Sequence, residues 1–321
     1  MFERILIPLD GSARAEAILG QVGRILHRED SELLFLRVIE PPPIADLEAP
    51  AFHLDRDREE AQKYVQAVTR RYAEQGVKAH GQVAEGAPAE VILETAQTEG
   101  STLIAMSTHG RTGMSRWLVG SVAEKVSRAS EVPVLLLRSF RGTSDVPKEG
   151  ARGAKTAFRK ILVPVDGSPA SMEVVAPAEK LALLYGSEIL VLHVETPVVL
   201  PGMEMGAIPV PLPTPSEEDP ATAKAVERFR QAGLRVRSHT VVGDPSGQIL
   251  DESQQPDIDL IAMATHGRSG VSRWVLGSVA ERVLRHATAP VLLVRVEAPI
   301  AKDQKSKTRK GSLRRKATGV R

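Results

Sequence analysis

The segment Thr108-His-Gly-Arg-Thr-Gly-Met-Ser-Arg-Trp-Leu-Val-Gly-Ser-Val-Ala-Glu124 returns almost unchanged 157 residues further on, as Thr265-His-Gly-Arg-Ser-Gly-Val-Ser-Arg-Trp-Val-Leu-Gly-Ser-Val-Ala-Glu281. Ile5-Leu-Ile-Pro-Leu-Asp-Gly-Ser12 likewise matches Ile161-Leu-Val-Pro-Val-Asp-Gly-Ser168, and Pro133-Val-Leu-Leu-Leu-Arg138 matches Pro290-Val-Leu-Leu-Val-Arg295. The offset changes by one residue between the first match and the last, so one chain holds two copies of one unit with a shared order of elements. A length of 321 residues agrees, being about two domains at the usual ~150 residues each.

Each copy alternates strand and helix. Ile5 to Leu9 and Ile161 to Val165 are continuous apolar runs ended by Asp-Gly-Ser, the pattern of a parallel strand buried on both faces. In the first half, helices are expected over Ala13 to Leu26, Asp55 to Gln75, Ala89 to Thr98 and Val122 to Ala129. Further strands are expected at Glu32 to Ile39, Val77 to Ala84, Thr102 to Met106 and Val134 to Arg138. The second half repeats this with helices over Ser171 to Tyr185, Glu217 to Ala232, Gly247 to Ser253 and Val279 to His286. Its strands follow at Glu188 to Val194, Arg235 to Val242, Asp259 to Met263 and Val291 to Arg295. Such alternation implies right-handed crossovers and a doubly wound α/β domain, twice. Ligands of these sheets sit beyond the carboxyl ends of the strands. Asp10 and the glycine loop after strand four both fall on that edge, as do Asp166 and the second loop.

The expected boundaries are a first domain over 1–139, a polar linker over 140–156, a second domain over 157–296 and a basic tail over 297–321. From Pro299 to Arg321 nine Lys or Arg face the single acid Asp303, so a chain of net charge +2 carries +8 in its tail and −6 elsewhere. The tail lacks a periodic apolar face and reads as disordered and solvated, with an anionic partner (nucleic acid or membrane) as the alternative. Nothing else in the chain points to nucleic acid. Pro41-Pro-Pro43 and the seven prolines from Pro197 to Pro220 mark loops over the binding edge or plain connections. Cysteine is absent, which removes disulfides, thiolate metal sites and thiol nucleophiles. No apolar run approaches the roughly 18 to 20 residues of a membrane span. Met1-Phe-Glu-Arg4 leads straight into a strand without a leader pattern, so the expectation is a cytoplasmic chain.

Gly110 and Gly120, like Gly267 and Gly277, are separated by nine residues, and each second glycine precedes a serine at a helix start. Glycine lets the backbone approach a ligand closely, so successive N–H groups can converge on phosphate oxygens with the helix N-terminus behind them. Ser121-Val-Ala-Glu124 and Ser278-Val-Ala-Glu281 also read as capping boxes, in which serine and glutamate serve the helix itself. Both roles are open at this point. A Walker loop would need a lysine that neither copy supplies. A Rossmann fingerprint would need Gly-x-Gly-x-x-Gly after strand one, and neither a metal-ligand cluster nor a nucleophile elbow is seen.

The set strand-Pro-x-Asp-Gly-Ser, Gly-x9-Gly-Ser and Pro-Val-Leu-Leu resembles the universal stress protein family of the UspA type, in tandem. The resemblance implies two flavodoxin-like (adenine nucleotide alpha hydrolase-like) domains, each with a five-stranded parallel sheet, and ATP with Mg2+ as ligand. It implies a stress-response regulator rather than an enzyme. An interaction module without nucleotide and a slow ATP hydrolase are the alternatives. By the same resemblance Asp10 and Asp166, two residues after Pro8 and Pro164, accept hydrogen bonds from the adenosine, and the backbone at Val38 and Val194 faces adenine; the other role open to the aspartates is to close the turn into the helix, where Ser12 and Ser168 read as the caps. The phosphates meet Gly110, Gly120, Ser121 and Val122, and again Gly267, Gly277, Ser278 and Val279; by their own chemistry His109 and His266 order the loop or donate to phosphate, and Arg111 and Arg268 either pair with phosphate or stand solvated. In the family's ATP-binding loop, Gly-x2-Gly-x9-Gly-Ser/Thr, the first glycine is replaced here by Ser107 and Ala264, where any demand for positive φ is met less easily. Trp117 and Trp274 are expected to pack the loop. The family's pairing of last strands implies that Val291 to Arg295 meets Val134 to Arg138 in an internal pseudo-dimer, with a further homodimer open.

Overall fold

In a computed structural model the described residues are 3–26, 31–41, 52–108, 119–138, 158–196, 220–267 and 276–296. The first half runs β1 (Arg4–Pro8), α1 (Ala13–Ile25), β2 (Glu32–Ile39), α2 (Phe52–Ala73), β3 (Lys78–Glu85), α3 (Pro88–Thr98), β4 (Leu103–Ser107), α4 (Ser121–Ala129) and β5 (Val134–Leu137). The second runs β6 (Lys160–Pro164), α5 (Pro169–Met172), α6 (Val175–Tyr185), β7 (Glu188–Glu195), α7 (Pro220–Gln231), β8 (Val236–Val242), α8 (Pro245–Ser253), β9 (Leu260–Ala264), α9 (Ser278–His286) and β10 (Val291–Val294).

The sheet order is β3-β2-β1-β4-β5-β10-β9-β6-β7-β8. Within each half all pairings are parallel and the winding reverses between the first and fourth strands, as expected of a doubly wound α/β unit. The halves meet through β5 and β10, which pair antiparallel with Val291 opposite Leu136, Leu292 opposite Leu135 and Leu293 opposite Val134. Because side chains alternate across a strand, Leu135 and Leu292 enter one core with Ile5, Phe35 and Val163. Leu136 and Leu293 enter the other with Leu6, Ile104 and Leu162. Both cores therefore run without a break across the seam.

The sequence expects one helix over Ser171 to Tyr185, whereas the structure breaks it at Glu173 and Val174 into α5 and α6. Pro177 is the reason. Proline has no N–H and its ring clashes with the carbonyl four residues back, so it is tolerated only in a first turn. Restarting the helix at Val175 puts Pro177 there. α6 then ends at Gly186, whose φ of 65° is the left-handed conformation that favours glycine.

At the outer strand β3, α2 lies so close that Gly81 is required by space. A Cβ there would overlap Val65 Cγ1 and lie 2.6 Å from Thr69 Oγ1, and Val65 is a stiff, buried side chain. Gly81→Ala is expected to cost about 1–3 kcal/mol. A urea midpoint equal to that of the parent chain would contradict this packing.

Two carboxylates of the second half are held below their ordinary range. Asp244 caps α8, accepting from Ser246 Oγ (2.7 Å) and Gly247 N (2.8 Å), with Arg282 Nη1 at 3.2 Å. Asp257 accepts from Lys160 Nζ, whose hydrogen bond is the main cause of its shift. A depressed pKa in the folded state gives stability that is present above the unfolded value, about 3.9, and lost as pH falls through the folded value. Asp257→Asn should therefore lose less stability than the parent chain between about pH 5 and pH 2, read as the change in urea midpoint. Both groups are well exposed and screened, so the effect is modest.

Candidate functional site

Strand one of each half ends in proline, and Leu9 N and Val165 N add one last bond to Leu36 O and Leu192 O at 2.8 and 2.9 Å. Asp10 and Asp166 follow, then Gly11 and Gly167 at φ 77°. Asp10 Oδ1 accepts from Ser12 N (2.9 Å) and Ser12 Oγ (2.6 Å), and Asp166 Oδ1 from Ser168 N (3.0 Å) and Ser168 Oγ (2.6 Å). Each serine in turn caps the helix, accepting from Ala15 N at 3.2 Å or Ser171 N at 3.1 Å. One carboxylate oxygen is thus committed to shaping the turn. The other, Oδ2 of Asp166, lies against Gly267, where a Cβ would sit 2.5 Å away. The strand-one aspartate and the loop glycine meet because that glycine has no side chain.

β4 and β9 are buried throughout. Ser107 and Ala264 are their last residues, in extended backbone that any residue adopts, so no positive φ is demanded of them. Ser107 Oγ donates to Ala15 O at 3.4 Å, filling the space between strand and α1. Thr108 N and Thr265 N then bond Leu137 O and Val294 O, each at 2.9 Å. His109, Gly110, Arg111 and Arg268 lie outside the described residues, as do Trp117, Trp274, the expected linker, both proline segments but for Pro41 and Pro220, and the tail.

The chain returns at Gly120 and Gly277, whose N–H groups donate to Thr108 O (2.7 Å) and Thr265 O (2.9 Å). Their φ of −60° is ordinary. What demands glycine is proximity, since a Cβ on Gly277 would be 2.9 Å from Thr265 O. These N–H groups close the loop instead of facing a ligand. The donors that remain are one step along, at Ser121, Val122 and Ala123 and at Ser278, Val279 and Ala280. The first helical bonds run only from Glu124 N to Gly120 O and from Glu281 N to Gly277 O, both 2.9 Å.

The capping-box expectation fails here. Gly120 and Gly277 hold the N-cap position, so Ser121 and Ser278 are the first helical residues, exposed and outside the capping geometry. Glu124 and Glu281 turn instead to Arg128 (2.6 Å) and Arg285 (2.5 Å), one helical turn on. Val122, Val279, Val38 and Val194 are partly buried, with their side chains packed against the core below.

His266 is half-buried, with Nδ1 3.1 Å from Thr265 Oγ1. That hydroxyl also accepts from Val296 N at 3.3 Å, and with one proton and two lone pairs it either donates to Nδ1 or accepts from it, according to the tautomer of the ring. Nε2 is buried without a partner among the described residues.

The halves differ beside this edge. In the first, Tyr64 Oη donates to Glu16 Oε1 at 2.9 Å. Burial, then that hydrogen bond and the charges of Glu16 and Asp10, raise the phenol's pKa, with Arg37 opposing. In the second half the corresponding positions are Met172 and Ala221, and Ala221 packs on Gly167, where a Cβ would lie 3.0 Å from its Cα. Neither this pair nor the closing role of Thr108 and Thr265 is in the expected site. The identical Thr-His-Gly of both copies was the available signal for the threonines, and the unequal charge at position 16 against 172 for the pair. No group of three or more metal-ligating side chains occurs among the described residues, and no described helix is long and apolar enough to cross a membrane.

The family model described as the universal stress protein family matches residues 1–138 and 157–295. A universal stress protein of Mycolicibacterium smegmatis is 24% identical over 305 residues, covering 91% of this chain and 96% of the relative. One from Methanocaldococcus jannaschii is 34% identical over 146 residues, covering 45% of this chain and 86% of the relative. Among solved structures, a universal stress protein from Archaeoglobus fulgidus shares the fold, with a TM-score of 0.68 at 22% identity over 92% of this chain and 99% of that one.

Proposed function

Since the chain belongs to the universal stress protein family, matched in both halves, we propose that it binds ATP at two sites, one per half, and acts as a stress-response regulator whose conformation or partners depend on nucleotide occupancy. The observation that carries this reading is the meeting of Gly267 with Asp166 beside the closed Thr265–Gly277 loop. It brings an acceptor carboxylate and a helix N-terminus to one edge of the sheet.

In this reading the phosphates take the N–H groups of residues 278–280 and 121–123, together with the hydroxyls of Ser278 and Ser121. The unsatisfied first-turn donors and the positive end of the helix favour anions there. In the tautomer with the ring proton on Nε2, His266 is a further donor to phosphate. Asp166 Oδ2 and its counterpart on Asp10 accept from ribose hydroxyls or the adenine amino group, for which an ionised carboxylate is suited. Adenine lies along the backbone at Val194 and Val38. Mg2+ comes with the phosphates, its charge held by them and by water. Ser107 and Ala264, being strand residues against the first helix, leave the loop geometry intact and so favour retention of the site.

The test is calorimetric titration of nucleotide-stripped protein with Mg-ATP. Two binding events per chain are expected, and no binding at millimolar ATP would sink the proposal.

A further inference from the structure

Thr265 is held on three sides: its carbonyl accepts Gly277 N–H, its own N–H donates to Val294 O, and its hydroxyl accepts Val296 N–H. Arg295 lies between the two residues that hold it. The Nη1 of this half-buried arginine crosses the seam and donates to Ala129 O at 3.0 Å. Ala129 is the last residue of α4, whose N-cap is Gly120. Here the guanidinium serves a carbonyl that the helix leaves unpaired and meets the negative end of its dipole. Ala123, Val126 and Ser127 are the buried face of α4, and its nine residues run from the donors of the first site at one end to the carbonyl that Arg295 holds at the other. A continuous path thus joins the loop of the second site to the helix that opens the first.

Resting on the two-site reading above, we propose that the sites are coupled through Arg295, so that ATP bound in one half raises the affinity of the other. A ligand in the second half requires Thr265 and Gly277 to stay closed. That closure fixes the residues on either side of Arg295 and with them the C-terminus of α4. The first site then has less to order when it binds, which is positive cooperativity without a large change of shape. Linkage makes the effect reciprocal.

The experiment is titration of the full chain with Mg-ATP, comparing the first site's affinity when the second is intact or is disabled by Gly267→Ala. Gly267 stands outside the path from Thr265 to Ala129. Disabling the second site should weaken the first by at least about fivefold. In an Arg295→Met background, which keeps the apolar stem and removes the donor, the same comparison should differ by less than about twofold. Arg295→Lys, which keeps a cationic donor, should restore part of the dependence, and circular dichroism shows that each variant folds. Two sites that bind with the first indifferent to the second would overturn the coupling alone. So would a dependence that persists undiminished in both arginine variants. Absence of binding in both halves would overturn the two-site reading with it.

Discussion

Leu292→Asp is expected to destabilise the chain by more than about 5 kcal/mol, comparable with the whole stability of an ordinary domain. Leu292 is 1% exposed and stands between β5 and β9, opposite Leu135 on one side and Ala262 on the other. Truncating a buried leucine costs about 2–5 kcal/mol, and a carboxylate left there without a partner adds several more. Leu292→Ala separates the two contributions, since it carries only the first. Because both cores cross the seam, the parent chain should unfold in urea as one transition seen alike by circular dichroism and by fluorescence. A Leu292→Asp protein that melts within about 1 kcal/mol of the parent would show that the seam holds little of the fold.

Gly277→Ala should weaken ATP binding in the second half roughly 100-fold, while the first half still binds with only the smaller, about fivefold loss that the coupling carries. The added methyl would lie 2.9 Å from a backbone carbonyl, which is anchored through Thr265 to β10 and cannot turn away. The loop must open, losing the Gly277–Thr265 bond and shifting the donors of residues 278–280. A lost hydrogen bond of about 1 kcal/mol and roughly 2 kcal/mol of strain amount to about two tenfold steps. Calorimetry should therefore fall from two binding events to one, and the remaining event should be weaker than in the parent chain by far less than the event that is lost. Two events of unaltered affinity would remove the closed loop from the binding mechanism.

How much of this could be read in the sequence varies with the range of the forces involved. The strands Ile5 to Leu9 and Ile161 to Val165 announce themselves because a two-sided burial leaves no room for polar residues. Ser12 and Ser168 announce helix starts because capping is a matter of three residues. Pro177 is a breaker of the same local kind, and it divides the helix expected from Ser171 to Tyr185. The error at Ser121 is of another sort. Its sequence suits a capping box, but the position of the cap is decided by Gly120 reaching back to Thr108, twelve residues away along the chain, and no local pattern encodes that distance. The second duty of Asp166, against Gly267, depends in the same way on strands one and four being neighbours. The Tyr64–Glu16 pair depends on two helices meeting over the edge, for which a single sequence offers only the unlike residues of its two copies.

The seam between β5 and β10 has a consequence for how such a chain can change. Two separate polypeptides joined along this line would part on dilution, and each substitution would appear twice, once on either side of the axis. Joined in one chain, the strands face each other at a local concentration that dilution does not alter. A glutamate can then stand at position 16 with methionine at 172, and tyrosine at 64 with alanine at 221. The fused chain is free of the symmetry that its own architecture still displays, and each half can be tuned without altering its twin.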